Sequence, residues 1–330
     1  MKVLLCTRED YKKNFAGDSK IVLKTAKYLT KLGAEVQINI GDITDYSPYD
    51  IVHLFNLSRT GEIYKYYRDA HRYKKNIVIT PIYWDLTKYY EQNREFENLR
   101  LWEKCMPYRE EVLKGSKMIF PNSETEKNII ISRYGQRLPI KVIYNGVEVE
   151  HDETPLYNLK DRYNLNNYVL SVGRINPQKN QLGLAKACNE LGVNLVLIGV
   201  VNDRAYLEQC KAFKNVLYLG FIDSYNIYNA YRFAKLHVLP SFVEASGLTS
   251  LEAAACGCNI VSTLEGSSKE YFRDYALFCN PYDEKSIIEA VEKGYNKRKD
   301  SKLKNYVISN YSWENSIKEL YESYKKILNE

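Results

Sequence analysis

Long apolar runs are missing from this chain. Nothing among its 330 residues approaches 18 consecutive apolar positions, so no segment reads as a membrane-spanning helix. Metal-binding or redox cysteine spacing is missing too. The seven cysteines, Cys6, Cys105, Cys188, Cys210, Cys256, Cys258 and Cys279, form no CxxC pair, and Cys256 and Cys258 stand too close for a standard zinc knuckle. Free thiols in a reducing cytosol are the expectation. Patterns of the HExxH, GxSxG, Walker A and GxGxxG kinds are absent, which counts against zinc hydrolases, serine hydrolases, P-loop enzymes and standard dehydrogenases. The chain runs from Lys2 to Thr7 straight into an apparent strand with no signal-peptide cleavage pattern, so a cytoplasmic protein is expected. A net charge of +6 is too small to point to nucleic acid.

What is plentiful is tyrosine: 30, against 10 Phe and 3 Trp. A phenol has an apolar face and a polar tip, which suits partly wet clefts and sugars, although biased composition explains the count equally well. The basic excess sits in the first half. Residues 1–150 hold 25 Lys+Arg against 20 Asp+Glu (+5), and residues 151–330 hold 22 against 21 (+1). This is compatible with an anionic membrane surface or an anionic acceptor.

Short apolar runs alternate with helical patterns. They cover 2–7, 35–40, 50–55, 76–82, 117–121 and 140–144, then 168–173, 194–199, 216–221, 236–240, 259–263 and 276–280. Without strict polar alternation, both faces of each run are expected to be buried, as in parallel sheets covered by helices. The fold class is therefore α/β, with two Rossmann-like doubly wound parallel-sheet domains. The polar stretch 148–165, with Pro155, is the expected linker, placing one domain at 1–155 and the other at 156–312. A C-terminal helix over 313–330 is free to cross back to the first domain. The helix before Gly33 should bury Val22, Ala26 and Leu29, expose Lys20, Lys24, Lys27 and Lys31, start at an Asp18 or Ser19 cap, and end at Gly33. Open α/β sheets bind ligands at their strands' carboxyl ends, so a ligand held between two such domains is the default expectation.

Two stretches carry chemistry. In Ser171–Asn180 a strand ends near Gly173 and a helix opens near Gln178, putting Arg174 and Lys179 at a sheet edge beside a helix N-terminus. Two fixed cations and a helix end suit a diphosphate, and two solvated surface cations are the plainer alternative. In Pro240–Gly257 a small-residue loop holds Glu244, and a helix from about Gly247 holds Glu252. Carboxylates accept from paired sugar hydroxyls, and free amides at the helix start suit a phosphate.

Glu244 and Glu252, seven residues apart, resemble the E-x7-E motif of the family 4 retaining glycosyltransferases (glycosyl transferases group 1). Gly173-Arg174 to Lys179 resembles their "GRxxxxK" segment, and Leu219-Gly220-Phe221 and Leu239-Pro240-Ser241 continue the likeness over most of 165–265. In the first half Pro121-Asn122-Ser123-Glu124 and Asn145-Gly146-Val147-Glu148 resemble family landmarks. The resemblance implies a two-domain GT-B fold, with the domains facing across a cleft. It implies that Arg174 and Lys179 grip the donor diphosphate, that Glu252 binds the ribose, that Glu244 meets the transferred sugar, and that backbone at Ser246, Gly247 and Leu248 cradles the phosphates. Gly173, Gly199 and Phe221 join the donor side, and Gly17 resembles the N-terminal glycine loop, with Ala16 replacing one glycine.

The family often has a second glycine after Gly199; here Val200 and Val201 follow. Many members carry a His at the end of the fourth strand, where this chain reads Thr80-Pro81-Ile82-Tyr83-Trp84-Asp85. Tyr83, Trp84 and Asp85 are candidates for the acceptor side or for ordinary packing. His53 is a candidate acceptor-side residue or a core histidine.

The implied reaction moves a sugar, with retention, from a nucleotide-diphosphate sugar to a carbohydrate or glycolipid hydroxyl, as in bacterial surface-polysaccharide synthesis. The nucleotide sugar is a co-substrate; no cofactor and no metal site is expected. No Asp-x-Asp is present, the motif that metal-dependent transferases of the other fold class generally show. A front-face route, with Glu244 orienting the sugar, fits better than a double displacement with two flanking carboxylates. Another enzyme of the same fold, a sugar-nucleotide epimerase or phosphorylase, and a non-catalytic carbohydrate-binding protein are the rival readings. The basic-aromatic segment Tyr64–Lys75 gives either peripheral contact with an anionic membrane at the cytoplasmic face or a solvated helix with buried tyrosines.

Overall fold

The structure, a computed structural model, describes residues 1–148, 159–223, 226–245 and 247–330. The chain divides into two compact units, one made of Met1–Gly146 with Trp313–Glu330 and the other of Val147–Ser312. The expected boundary at 155/156 falls on residues outside the described set.

The first unit is built on a five-stranded parallel sheet of β1 (Lys2–Cys6), β2 (Glu35–Asn39), β3 (Ile51–Phe55), β4 (Asn76–Thr80) and β5 (Met118–Ile119), in the order β2-β1-β3-β4-β5. The central strands are Val, Ile and Leu runs buried on both faces; β2, at the edge, is mostly exposed or half-buried. This is how helix-covered parallel sheets read. The run at 140–144 departs from expectation. It follows β5 through Lys141 N–Ile119 O (3.0 Å) and Ile143 N–Pro121 O (2.9 Å), and only Ile119–Ile140 forms a bridge. β5 has two residues, and Pro121 has no N–H to return, so no ladder can extend there.

The helix Gly17–Lys31 buries Ile21, Val22, Thr25 and Leu29, with Ala26 half-buried. Its cap differs from expectation. Ala16 is the N-cap, and the Ser19 hydroxyl accepts from the Ala16 N–H at 3.2 Å. Asp18 lies inside the first turn instead, bound by Arg8. Gly33, at φ +88°, follows the C-cap Leu32. The helix Trp313–Asn329 packs in this unit: the Tyr324 hydroxyl meets His53 Nδ1 at 2.5 Å, and Lys141 Nζ reaches Ser323 Oγ at 3.0 Å.

The second unit has six parallel strands, β6 (Val169–Val172), β7 (Leu195–Ile198), β8 (Val216–Tyr218), β9 (Leu236–Leu239), β10 (Asn259–Thr263) and β11 (Leu277–Cys279), in the order β11-β10-β9-β6-β7-β8. Chain order reverses between β6 and β9. Open α/β sheets take ligands at such a switch point, because the crossovers leave from it in opposite directions and open a crevice.

Candidate functional site

Both motif stretches of the second unit leave the sheet at that switch point, one after β6 and the other after β9. After β6, Asn176 caps a 3-10 turn, Pro177–Lys179, its side chain accepting from Lys179 N at 3.2 Å. Asn180 then adopts a left-handed conformation, φ 53°, and the helix Gln181–Glu190 follows. Gln181 Nε2 donates to the Arg174 carbonyl at 2.8 Å, fixing the backbone that carries the guanidinium. Gly173 donates to the Ile198 carbonyl at 2.9 Å, and a Cβ built on it would meet nothing within 4 Å. Gly199, at φ +151°, is different: a Cβ there would stand 1.9 Å from the Gly173 oxygen. Glycine is required here by close backbone approach. Its N–H donates to Gly220 O at 2.9 Å, and Phe221, next along, is 55% exposed.

After β9, residues 240–245 turn back on the first loop. Phe242 N donates to Gln178 O at 2.9 Å, and Lys179 Nζ meets Glu244 Oε2 at 2.5 Å. Ser241 Oγ also donates to Oε2, at 3.2 Å, and Gly247 N to Oε1, at 3.1 Å. Lys179 and Glu244 are 18% and 12% exposed, so the pair is largely withdrawn from water yet still accessible. An ammonium carries three donors, and one goes to Glu244. The Glu244 backbone is pinned from behind by Glu265 O (3.1 Å) and Ser267 N (3.3 Å), and a Cβ on Gly266 would come within 2.3 Å of Glu244 O.

Gly247, φ 60°, is the N-cap of Leu248–Ala255 and offers no side-chain cap, so backbone N–H groups remain at the helix start. Leu248 is buried, so its side chain belongs to the core. Thr249 Oγ1 ties the helix to β6 through Val172 O at 2.9 Å. Glu252 is buried further along, and Oε2 accepts from the Tyr231 hydroxyl at 3.0 Å. Burial, and then the Glu252 charge, push the Tyr231 hydroxyl well above its ordinary range, so it stays a donor. Ser246 lies outside the described residues. Among the described residues no three His, Cys, Asp or Glu side chains group as metal ligands do.

The first-unit candidates scatter. His53 and Tyr83 have no exposed surface, so neither touches an acceptor as placed. His53 Nε2 meets Thr80 Oγ1 at 2.9 Å, and burial pushes its pKa down to about 3. Tyr83 stacks on Trp102 at 5.7 Å and meets the Tyr134 hydroxyl at 3.3 Å. Trp84 and Asp85 are half-buried. Burial opposes ionisation of Asp85, but Thr87 Oγ1 (2.6 Å), Thr87 N (2.9 Å) and the Arg133 charge outweigh it, and the net shift is downward. Gly17 is the first helical residue rather than a loop glycine, and its φ is not positive. In the basic-aromatic segment, Tyr66 and Tyr67 are buried in the core while Lys65, Arg68, Arg72 and Lys74 face solvent. No helix among the described residues is long and apolar enough to cross a membrane.

Residues 160–313 match the family described as "Glycosyl transferases group 1". Among the relatives is an uncharacterized glycosyltransferase of Methanocaldococcus jannaschii, MJ1607, 28% identical over 209 residues, 56% of this chain and 54% of that protein. A probable sucrose-phosphate synthase of Vicia faba is 30% identical over 154 residues, 38% of this chain and 14% of that protein. The chain thus spans about half the archaeal relative's length and a small part of the plant protein's. Solved structures match over nearly the whole chain. Sucrose-phosphate synthase of Thermosynechococcus elongatus superimposes with TM-score 0.82 at 14% identity, covering 100% of this chain and 99% of that one. Anabaena HepE, solved with UDP-glucose, gives 0.79 at 14% identity, covering 99% and 100%. The fold is GT-B: two parallel-sheet α/β units. The group 1 segment contains every residue of the β6–β9 edge described above.

Several contributors to that edge escaped sequence reading: Asn176, Asn180, Gln181, Ser241, Tyr231 and Thr249. The two asparagines flanking the turn Pro177–Lys179 carried a local signal, since Asn caps turns and tolerates left-handed backbone. Gln181 and Ser241 act within their own loops, on Arg174 and Glu244; Tyr231 and Thr249 join separate strand-helix units and carried no local signal.

Proposed function

We propose that this protein is a retaining glycosyltransferase that takes a sugar from a nucleotide-diphosphate donor and passes it to a carbohydrate or glycolipid hydroxyl. The observation that carries the reading is the Lys179–Glu244 pair, held where the β6 and β9 loops interlock at the switch point of a group 1 segment. As the donor bond breaks, negative charge grows on the diphosphate. Lys179, Arg174 and the amides opening Leu248–Ala255 supply positive potential there without rearrangement, each such donor being worth about 3–4 kcal/mol. On this reading a divalent metal is not required. Glu244, pinned front and back, orients the transferred sugar's hydroxyls, and Glu252 holds the ribose. HepE's complex with UDP-glucose favours testing uridine donors first. The setting we propose is surface-glycan assembly, with Lys65, Arg68 and Arg72 available to an anionic membrane.

A thermal-shift screen of nucleoside diphosphates and their sugars tests the donor. A ligand at 100 times its Kd should stabilise by about 2.7 kcal/mol. Turnover should persist in a chelator, and NMR should show product with the donor's anomeric configuration. Inverted product removes the retaining assignment. Nucleotide release with no acceptor consumed would favour an epimerase. Flotation indifferent to anionic lipid would remove the membrane contact.

A further inference from the structure

The second half of the sequence carries a net charge of only +1, yet its cations gather at one place. Residues 296–305 hold Lys297, Arg298, Lys299, Lys302 and Lys304 against Asp300 alone. They form the turn between the helices Glu284–Asn296 and Lys302–Asn310 and the start of the second. Asn259, the first residue of β10, donates through Nδ2 to the Lys297 carbonyl at 2.8 Å, which ties the turn to the amino edge of the second sheet. Arg232 and Lys235 precede β9 at the same edge, where the Lys235 N–H donates to the Tyr168 carbonyl, just before β6, at 2.9 Å. Burial pushes the Cys256 thiol up while Lys304 and Arg232 both act against it, so the two groups of cations share one field. Because β6, β9 and β10 are parallel, this edge is the one opposite Lys179 and Glu244. The seven cations and Asp300 carry +6, which leaves −5 for the rest of that half.

Local structure does not account for the cluster. Lys302 and Lys304 stand in the first turn of a helix with no acidic residue there, where the helix dipole disfavours cations. Asp300 is turned to the backbone, accepting from the Lys302 N–H at 2.9 Å. None of the seven cations forms an ion pair among the described residues. Arg232, Lys297, Arg298 and Lys302 are exposed. Beside the turn, Lys297 Nζ donates to the Tyr275 carbonyl at 3.4 Å, and the Tyr275 ring, 38% exposed, packs on Tyr306 at 4.9 Å. Five of the seven cations are lysines. An arginine fork suits one fixed carboxylate or phosphate, whereas lysines are point charges and suit many mobile headgroups. An exposed tyrosine beside a polybasic stretch suits the same boundary.

We infer that this amino-edge surface of the second unit docks on an anionic lipid bilayer. Docked so, the unit turns its Lys179–Glu244 edge away from the lipid. The inference uses neither the glycosyltransferase reading nor Lys65, Arg68 and Arg72 of the first unit. The test is flotation of the full chain with phosphatidylcholine vesicles, with and without about a third of phosphatidylserine. Wild type should float with the anionic vesicles only, and salt at about 0.5 M should release it. Arg298→Gln combined with Lys302→Gln should weaken binding at least about tenfold, since each cation near the surface counts for about fivefold. Tyr275→Ser should weaken it about threefold, and the melting temperature should stay that of wild type in both variants. Wild type that fails to float with anionic vesicles overturns the inference, and so does unchanged flotation of the double variant. Flotation lost in Lys65→Gln with Arg68→Gln, but kept in the Arg298 and Lys302 variant, gives the contact to the first unit and overturns it as well. Capture by polyglutamate or an oligonucleotide but not by vesicles makes the partner an acidic protein or a nucleic acid, with the same consequence. Wild type that floats in this charge-dependent way but gives no thermal shift with UDP would remove the donor reading and leave this one standing.

Discussion

At the carboxyl edge of the first sheet the charged groups satisfy one another. Arg8, buried just past β1, grips Asp18 through Nε (2.8 Å) and Nη2 (3.0 Å), Asp10 through Nη1 (2.7 Å) and the Ser19 hydroxyl (2.8 Å). Buried Glu126 accepts from the backbone of both Tyr83 and Asn122 at 2.7 Å. The corresponding edge of the second sheet is built from glycines, a 3-10 turn and a helix start, and Lys179 meets a single carboxylate there. Saturated networks hold loops in place, whereas an edge with donors in reserve can take a ligand. The two edges therefore differ in what a lost side chain should do.

The sharpest way to break this contrast is to remove one cation from each edge. Arg8→Ala removes the guanidinium bound to buried Asp18 and should cost about 3–5 kcal/mol of stability in chemical denaturation, with donor affinity unchanged in molecules that remain folded. Lys179→Ala should do the reverse. Turnover of the nucleotide sugar should fall by about 10²–10³, or about 3–4 kcal/mol of barrier, with a smaller stability loss than in Arg8→Ala, because Glu244 is partly exposed and keeps its Ser241 and Gly247 donors. If Lys179→Ala unfolds the protein and Arg8→Ala abolishes turnover, the contrast is wrong.

Gly199→Ala probes the backbone side. A methyl group 1.9 Å from the Gly173 oxygen, at φ +151°, must displace one loop or the other. We expect a stability loss of about 1–3 kcal/mol together with weaker donor binding. Gly173→Ala, which meets open space, should keep the stability. Equal losses in the two variants would show that crowding is not what requires glycine at 199.

How much of this was legible beforehand follows the same divide. The strand runs could be read because the central ones bury Val, Ile and Leu on both faces, a pattern that needs no partner to be recognised. Lys179, Glu244 and Glu252 could be read because the group 1 spacing fixes them within one stretch. Tyr231–Glu252, Phe242–Gln178 and Gly173–Gly199 could not, since each joins separate strand-helix units and only the sheet order makes them neighbours. Two acceptor-side candidates, His53 and Tyr83, turned out buried for the opposite reason. A polar or aromatic residue after a strand looks the same in sequence whether it faces a ligand or, like Tyr83, packs on Trp102.

Both units share one feature that pH can expose. His53 in the first and His237 in the second are fully buried, and burial pushes each pKa down to about 3 from 6.5. Both are neutral when folded, and below about pH 6.5 the unfolded chain binds the extra protons. Stability should therefore fall with falling pH from about 6.5 towards 3, by about 1.4 kcal/mol per unit for each histidine. His53→Gln should remove the first unit's share and about halve the slope between about pH 6.5 and 5, above the range in which carboxylates such as Asp85 add their own loss. An unchanged slope would mean that His53 is hydrated and charged in the folded state.

The smallest effect we expect separates holding a site from holding a core. Tyr231 and Tyr168 are both buried tyrosines of the second unit; one hydroxyl donates to Glu252 at 3.0 Å, the other to the Ala230 carbonyl at 2.7 Å. Replacing either with Phe removes one hydrogen bond and keeps the ring, a change worth about 1 kcal/mol. In Tyr168→Phe that loss should appear as stability alone. In Tyr231→Phe it should appear in the site as well: on the proposed reading Glu252 holds the ribose, and the change removes the Tyr231 hydroxyl from its carboxylate. The KM for the nucleotide sugar should rise about fivefold with kcat unchanged, since ribose binding is felt equally in ground and transition states. A matching fall in kcat would move Glu252 from holding the nucleotide to acting on the reacting sugar, and equal KM values in the two variants would release Tyr231 from any part in the site.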